Sequence, residues 1–339
     1  MSSLTRLTRL SGHDVAVDLG SANTLVYVRG RGIVLSEPSL LAVDSRNGKV
    51  RAAGIDARRL LEHEAGSISA VWPIRRGAIT DDEPAESLLR SVVRKVHRGA
   101  GARPRLGVVV VPGGATAVER QAVERACRSM GAERPYLVEE PVAAAVGVGL
   151  PVAERAGTLI VDIGAGTSEA AVLAMGEIVV LRSIRVGGDD FDEAIVRYLK
   201  RERNLLITQQ TAEEVKREIG SAAPIGAQQW AEVQGHDARS AQPTTVLVGN
   251  EEIRGALEKP VARIVDTVKE TLANTPPELG SDIVDRGMVL VGGGSLLRGL
   301  EQRLREETHL PAQLAQWPIT CVATGSGAWL EEPKPINGS

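Results

Sequence analysis

Residues 15–28 read VAVDLGSANTLVYV. β-Branched and aliphatic residues flank a short Gly-Ser-Ala-Asn turn, the pattern of a strand, a tight turn and a second strand. Residues 158–172 read TLIVDIGAGTSEAAV and repeat that pattern. In both copies an Asp (Asp18, Asp162) closes the first strand just before the glycine of the turn. The two aspartates are 144 positions apart. That spacing marks a duplicated domain rather than a solenoid, whose period is roughly 20–50 residues.

The segments around each copy alternate between strand and helix. After the first copy, Ile33 to Ile55 reads as short strands broken by Pro38 and by Asn47-Gly48. Glu83 to His97 places Leu88, Leu89, Val92, Val93 and Val96 at helical spacing. Leu106 to Val111 is a short apolar run, as a buried strand requires. Thr116 to Met130 and the Ala-rich Pro141 to Val148 read as helices. After the second copy, Glu177 to Val186 reads as strand, and Asp189 to Leu199 and Ala212 to Ile219 as helices. Gln228 to Val248 is polar and strand-like, and Glu251 to Leu272 is a long helix tolerating Pro260. Gly287 to Val291 is a strand running into Gly292-Gly293-Gly294, and Leu296 to Glu307 is a helix. Strands alternating with helices indicate α/β layers.

The chain has 339 residues, 43% of them apolar and 24% charged, with net charge −3. That suggests about two domains of roughly 150 residues each. No basic field invites nucleic acid. One Phe, three Tyr and four Trp leave an aliphatic core and few platforms for stacking bases. Two cysteines and five histidines, without HExxH or paired spacing, argue against a disulfide scaffold or a zinc cluster. No apolar run approaches the roughly 18 residues of a membrane span.

The turns carry the chemistry. Glycine lets a backbone approach an anion closely, and successive N–H groups form an anion nest. A polyphosphate held by two such hairpins leaves each aspartate placed for a hydrated divalent cation, since Mg²⁺ keeps most of its waters and commonly takes one or two carboxylates. A lone hairpin would read as a plain turn; two matched copies, each led by Asp, favour the phosphate reading. Gly292 to Ser295 ends a strand and opens a helix, a ligand position in α/β folds, although alone it also suits a tight connection. There is no Walker A GxxxxGK(S/T), no Rossmann GxGxxG and no protein-kinase signature.

The chain resembles the actin, Hsp70 and sugar-kinase ATPase superfamily, and within it the bacterial actins of the MreB/Mbl, rod shape-determining type. Besides the two hairpins, the likeness rests on Val111-Pro112 with Ala115-Thr116 and Glu119-Arg120, on Glu139-Glu140-Pro141-Val142-Ala143-Ala144-Ala145, and on Val186-Gly187-Gly188-Asp189 with Phe191-Asp192-Glu193. It continues through Lys216 with Glu218-Ile219-Gly220, Pro276-Pro277-Glu278-Leu279 and Arg286-Gly287-Met288-Val289-Leu290. These motifs run in order from about Asp14 to Trp329.

The resemblance implies an actin-like α/β fold of two duplicated RNase H-like cores facing a nucleotide cleft, each with a small insertion. Residues 1–13 would be a flexible leader. Subdomain IA would take 14–32, 77–154 and 318–339, and IB 33–76. IIA would take 155–188 and 246–317, and IIB 189–245. ATP with Mg²⁺ is the implied cofactor. Gly20, Ser21, Ala22 and Asn23 would hold phosphate from one side, and Gly164, Ala165, Gly166 and Thr167 from the other. Glu213, Lys216 and Gly292, Gly293, Gly294 and Ser295 would contact the adenosine. Asp18 and Asp162 would hold Mg²⁺ through water. Glu140 would position the attacking water with help from Thr167; read without the family, Glu139-Glu140-Pro141 is an acidic first helical turn.

The implied function is a weak ATPase coupled to head-to-tail filaments that direct cell shape and peptidoglycan synthesis, in the cytoplasm or at the inner face of the plasma membrane, with wall-synthesis membrane proteins as partners. A non-polymerising actin-like adaptor is the alternative. A sugar kinase or a chaperone-type ATPase fits the motifs less well. Three departures stand out. Ala165 replaces the usual Gly of this branch, and Ser168 a common Thr. The loop Arg98 to Pro104 has no large apolar residue to insert into a membrane. Leu4, Leu7 and Leu10 beside Arg6 and Arg9 form a stripe within residues 1–12 that reads equally as an interfacial anchor or as an unstructured leader. Asp189-Asp190-Phe191-Asp192 reads as acidic helix capping, Cys127 as a small core residue, and Trp230 as either a packing or a partner residue.

Overall fold

The computed structural model describes residues 14–64, 66–96, 105–129 and 135–331. The leader stripe, the loop 98–104 and the tail beyond Glu331 lie outside these residues. Residues up to Pro151 together with those from Thr320 onward make one unit, and Val152–Ile319 make the other.

In the first unit, β1 (Asp14–Leu19), β2 (Asn23–Val28) and β3 (Gly32–Pro38) are joined antiparallel. The chain then builds β4 (Leu41–Asp44), β5 (Val50–Ala53), α1 (Ile55–His63) and β6 (Ile68–Val71), whose strands form a small sheet in the order β5-β4-β6. A short hairpin, β7 (Ile74–Arg75) and β8 (Ala78–Ile79), precedes α2 (Asp82–Val96). Next come β9 (Arg105–Val111), α3 (Ala117–Ser129), β10 (Tyr136–Glu139) and α4 (Glu140–Gly147). β9 lies parallel to β1, and β10 parallel to β9. The sheet order is therefore β10-β9-β1-β2-β3.

The second unit repeats this plan. β11 (Thr158–Ile163), β12 (Ser168–Ala174) and β13 (Glu177–Ile184) are antiparallel. α5 (Gly188–Glu202), β14 (Leu205–Leu206), α6 (Gln209–Ile219), β15 (Trp230–Asp237) and β16 (Pro243–Gly249) follow, with a small sheet β14-β15-β16. Then come α7 (Asn250–Ala273), α8 (Pro277–Arg286), β17 (Met288–Val291), α9 (Leu300–Thr308) and β18 (Ala312–Leu314). β17 is parallel to β11 and β18 to β17, giving the order β13-β12-β11-β17-β18. Strand order and direction match those of the first sheet, so the duplication read from two turns extends over five strands. α10 (Cys321–Glu331) returns to the first unit.

Alternation places the cores. Val15, Val17 and Leu19 of β1 join Leu88, Leu89, Val92 and Val93 of α2 and Val123, Ala126 and Cys127 of α3 in one buried cluster. α10 packs on β1, β2 and β9 and crosses α4. At that crossing a Cβ on Gly325 would lie 1.8 Å from the Ala143 carbonyl oxygen, and one on Gly147 would lie 1.8 Å from that of Cys321. The small residues of both helices thus bring two backbones into contact. In the second unit Leu159, Val161 and Ile163 of β11 pack with Phe191, Ile195 and Leu199 of α5 and with Ile253, Leu257, Val261, Ile264, Val265 and Val268 of α7. Pro260 is buried inside α7 without ending it.

Three expectations need correction. Leu296 to Glu307 is not one helix: a 3₁₀ turn spans Gly293–Leu296 and α9 starts at Leu300. Gly299 between them has φ +73°, and a Cβ there would lie 2.9 Å from Ala223 N, so glycine is required. Ile55, read as the end of a strand region, opens α1, and Pro277 opens α8, which has no counterpart in the sequence reading. Of the acidic cluster, Asp190 does cap α5, accepting from Gly187 N–H at 3.0 Å. Asp192 does not: it is buried against Lys216, at 2.7 Å. Cys127 is fully buried, and burial pushes its thiol up to about 12. Trp230 is half exposed, with its ring edge against Gly249.

Candidate functional site

In the first unit, parallel strands β1, β9 and β10 end together. Asp18 pairs with Val110 in register, and Val110 with Val138. Asp18 and Glu140 therefore share the carboxyl edge of the sheet, where open α/β folds place ligands. A Cβ on Gly20 would sit 2.8 Å from the Asn23 carbonyl oxygen, so the turn is tight enough to demand glycine. It is held from outside. Ser39 Oγ donates to Gly20 C=O at 2.6 Å and shares a hydrogen bond with Thr24 Oγ1 at 2.8 Å. Ser39 N–H donates to Ala22 C=O at 2.9 Å, and Gly77 N–H donates to Ser21 Oγ at 3.0 Å. Among the described residues, the N–H groups of Ser21 and Ala22 donate to no backbone carbonyl. Ala22 and Asn23 are exposed.

Asp18 is buried, and desolvation alone pushes its carboxyl up to about 7 from an ordinary 3.8. A buried carboxylate that no cation among the described residues stabilises suits a hydrated Mg²⁺ brought in with phosphate. Glu139 pairs with Arg120, and the next residue, Glu140, begins α4. Thr116 and Glu119 cap α3 reciprocally, at 3.2 and 2.8 Å. Several motif residues of this unit are thus structural supports rather than ligand groups.

In the second unit, Asp162 pairs with Val291, so Gly292 emerges beside it at the same carboxyl edge. Gly164 N–H closes the turn on Thr167 C=O at 2.9 Å. The carbonyls of Gly164 and Ala165 are taken by Gly188 N–H at 3.0 Å and Asp189 N–H at 2.8 Å, which ties the hairpin to the start of α5. Ser168 Oγ donates to Val186 C=O at 2.7 Å. Among the described residues, the N–H groups of Ala165 and Gly166 donate to no backbone carbonyl. Both turns thus leave two consecutive N–H groups available to an anion.

The glycine run divides. A Cβ on Gly292 (φ +82°) would meet Ile163 C=O at 2.3 Å and Asp162 Oδ1 at 2.4 Å, and one on Gly294 would meet the Ile163 side chain at 2.5 Å. Those two glycines make room for β11. Only Gly293 faces open space. Ser295 is buried and donates from Oγ to Gly292 C=O at 2.6 Å. Lys216 reaches across from α6 to Asp192 and to Gly188 C=O at 3.3 Å. Glu213, one turn earlier, pairs with Arg217 at 2.6 Å.

The expected residues thus gather in two sets. Asp18, Gly20 to Asn23 and Glu140 lie at one sheet edge. Asp162, Gly164 to Thr167, Lys216 and Gly292 to Ser295 lie around the other hairpin. Sequence reasoning missed Ser39, Gly77 and Asp192. Only Asp192 carried a signal, in the Gly-Gly-Asp-Asp-Phe-Asp run. Among the described residues no group of three or more His, Cys, Asp or Glu is placed to hold a metal. No helix among them is long and apolar enough to cross a membrane.

Comparison with known proteins agrees with this plan. The family model described as MreB/Mbl protein matches residues 12–338. The cell shape-determining protein MreB of Escherichia coli (strain K12) is 45% identical over 333 residues, 97% of this chain and 96% of that protein. The cell shape-determining protein Mbl of Bacillus subtilis (strain 168) is 42% identical over 319 residues, covering 94% and 96%. The crystal structure of MreB5 of Spiroplasma citri bound to AMPPNP superimposes with a TM-score of 0.87 at 36% identity, covering 94% of this chain and 96% of that one. The actin-like fold and the family are both established by these matches, and the chain belongs to the MreB/Mbl family.

Proposed function

We propose that this chain is an actin-like cell-shape protein that binds ATP with Mg²⁺, hydrolyses it slowly and assembles head to tail into filaments that guide cell-wall synthesis. The observation that carries the reading is the matched pair of hairpins, each at the carboxyl edge of an equivalent sheet, behind a single buried Asp and with two N–H groups uncommitted. The AMPPNP in the S. citri relative supports nucleotide binding. The names of the E. coli and B. subtilis relatives support a role in cell shape.

In this reading the N–H groups of Ser21, Ala22, Ala165 and Gly166 bind phosphate oxygens, with the Asn23 and Thr167 side chains alongside. Asp18 and Asp162 would hold Mg²⁺ through water, and the ion would supply neutralisation of phosphate charge. Glu140 accepts a hydrogen bond from the attacking water and orients it, assisted by Thr167. Such positioning is most of what γ-phosphate hydrolysis asks of a protein. Glu213, Lys216 and Gly293 face the nucleoside. The two cores and their insertions divide into four subdomains at the boundaries given above. The protein works in the cytoplasm and reaches the inner membrane through residues 1–12 or through wall-synthesis membrane proteins. Polymer surfaces are heterologous and do not close into a ring.

The test is ATP-dependent sedimentation with electron microscopy and phosphate release, in wild type and Glu140→Ala. The variant should bind ATP and pellet while releasing phosphate at least a hundredfold more slowly, within the roughly 10²–10⁴ range of positioned acid–base groups. No pelleting of the wild type under any nucleotide or salt condition refutes the filament reading and leaves the adaptor.

A further inference from the structure

Asp192 is an unusual residue for the inside of a helix pair. It lies one turn into α5, its side chain only 6% exposed, and Lys216 of α6 brings its ammonium to 2.7 Å. Among the described residues no donor meets hydrogen-bond geometry at its buried Oδ1, so the ammonium holds it as an ion pair. The same ammonium donates to Gly188 C=O at 3.3 Å. Gly188 in turn donates its N–H to Gly164 C=O of the second hairpin. The ammonium and the Ala165 Cα each lie 3.7 Å from the point where a Cβ on Gly188 would sit, so they are at most about 7.4 Å apart. A lysine has three N–H donors; one goes to Gly188 C=O, and the ion pair with Asp192 fixes the ammonium in place.

We infer that Asp192 is a positioning residue for nucleotide binding: it anchors the Lys216 ammonium beside the second phosphate hairpin, leaving an N–H for an oxygen of the nucleotide. This rests on the proposal that the chain binds ATP. An unanchored lysine would have some four rotatable bonds to order on binding, and the buried carboxylate removes that cost before the ligand arrives. The pair also explains why α5 and α6 carry a charge where they pack. Asp192 alone would be an unpaired buried anion, and Lys216 alone would have no reason to turn inward.

The charged groups facing Asp192 are Lys216 and Glu213 from α6 and Asp189 from α5 itself. On the α7 side, Glu252 is engaged with Tyr198 and Arg203 at the far end of α5, and β14 contributes leucines. Burial raises the Asp192 carboxyl to about 6, against the lowering pull of Lys216. Mild acid therefore protonates the anchor.

The experiment is calorimetric titration of ATP with Mg²⁺ into the full chain, for wild type, Asp192→Asn, Lys216→Met and the double variant. Asp192→Asn should weaken binding roughly tenfold, the scale of one charge-assisted hydrogen bond. The double variant should bind no more weakly than Lys216→Met, because Asp192 acts only through Lys216. Between about pH 7.5 and 5.5, which brackets the titration, wild-type affinity should fall more steeply than that of Asp192→Asn. Should Asp192→Asn not fold, Lys216→Met carries the test, since it too must lose the acid-side fall. Wild type binding ATP while Asp192→Asn binds as tightly, or additive losses in the double variant, overturns the inference alone. A wild type that binds no ATP overturns the ATP reading and this inference with it.

Discussion

The α4–α10 crossing makes the first unit depend on two glycines, and the same substitution at a different glycine should act in the opposite sense. Gly325 lies in α10, where Ala is favoured over Gly by about 1 kcal/mol per residue in a helix interior. Its Cβ, however, would sit 1.8 Å from the Ala143 carbonyl oxygen, which is 1.6 Å short of the 3.4 Å of ordinary contact. The nearest atoms are backbone of α4, namely Ala143 C=O and Gly147 N, so no side chain can swing away. The helices must separate, and α10 carries Cys321, Val322, Ala323 and Leu330 into the buried interior. Overpacking of this kind costs typically 1–3 kcal/mol, occasionally more. With a backbone obstruction the upper end applies, and after the propensity gain a net loss of about 2 kcal/mol remains. For a unit of this size that is a fall of roughly 4–8 °C in melting temperature. Gly255, exposed in α7 with nothing within 4 Å of its Cβ position, supplies the control: Gly255→Ala should gain up to about 1 kcal/mol. Thermal melts followed by circular dichroism read both. Gly325→Ala melting at or above wild type would refute the claim that backbone contact sets the α4–α10 distance.

Other expectations use the same logic. Gly187 has an extended backbone that any residue adopts, yet its Cβ would lie 2.5 Å from Ala165 C=O, while a Cβ on Gly188 meets nothing closer than 3.7 Å. Gly187→Ala should therefore displace the second hairpin and weaken ATP binding at least tenfold by calorimetry, in the 1–3 kcal/mol range of overpacking, and Gly188→Ala should not. Asp18 has its carboxyl raised to about 7 from 3.8, so the folded state holds a proton that the unfolded state releases. Its contribution is full below about pH 4 and is lost as pH rises through about 7, by a few kcal/mol at most. Denaturant titrations of the nucleotide-free protein should show that decline, and Asp18→Asn should flatten it. Arg298 donates to Gly220 C=O at 3.2 Å, Glu218 C=O at 2.7 Å and Gln229 Oε1 at 2.9 Å. Arg298→Ala should cost about 2 kcal/mol in a chemical melt, given the usual worth of charged hydrogen bonds.

What the sequence disclosed and what it hid follow from how far each cause acts along the chain. Both hairpins were legible because glycine, a strand-ending Asp and β-branched flanks are neighbours in sequence, and their recurrence after 144 positions identified the duplication that the two equivalent sheets display. α2 and α7 were legible to within a residue or two because their apolar periodicity is local. The break before α9 was not, because Leu296 to Glu307 has helical composition. The interruption comes from Gly299 pressed against Ala223, 76 positions away, and from Arg298 turned toward three carbonyl-type oxygens of a preceding segment. The glycine run shows the same limit at the candidate site. Three consecutive glycines read as open space for a ligand, yet two of them are filled by the end of β11 and only Gly293 remains open. Asp192 is the sharpest case. Its motif looked like capping because Asp190, two positions earlier, does cap, and the partner that gives Asp192 its meaning stands 24 residues on, on another helix. Motifs locate a site well when each residue acts on its sequence neighbours. The residues that hold those motifs in place, such as Ser39, Gly77 and Asp192, act across distance and become visible only in the folded chain.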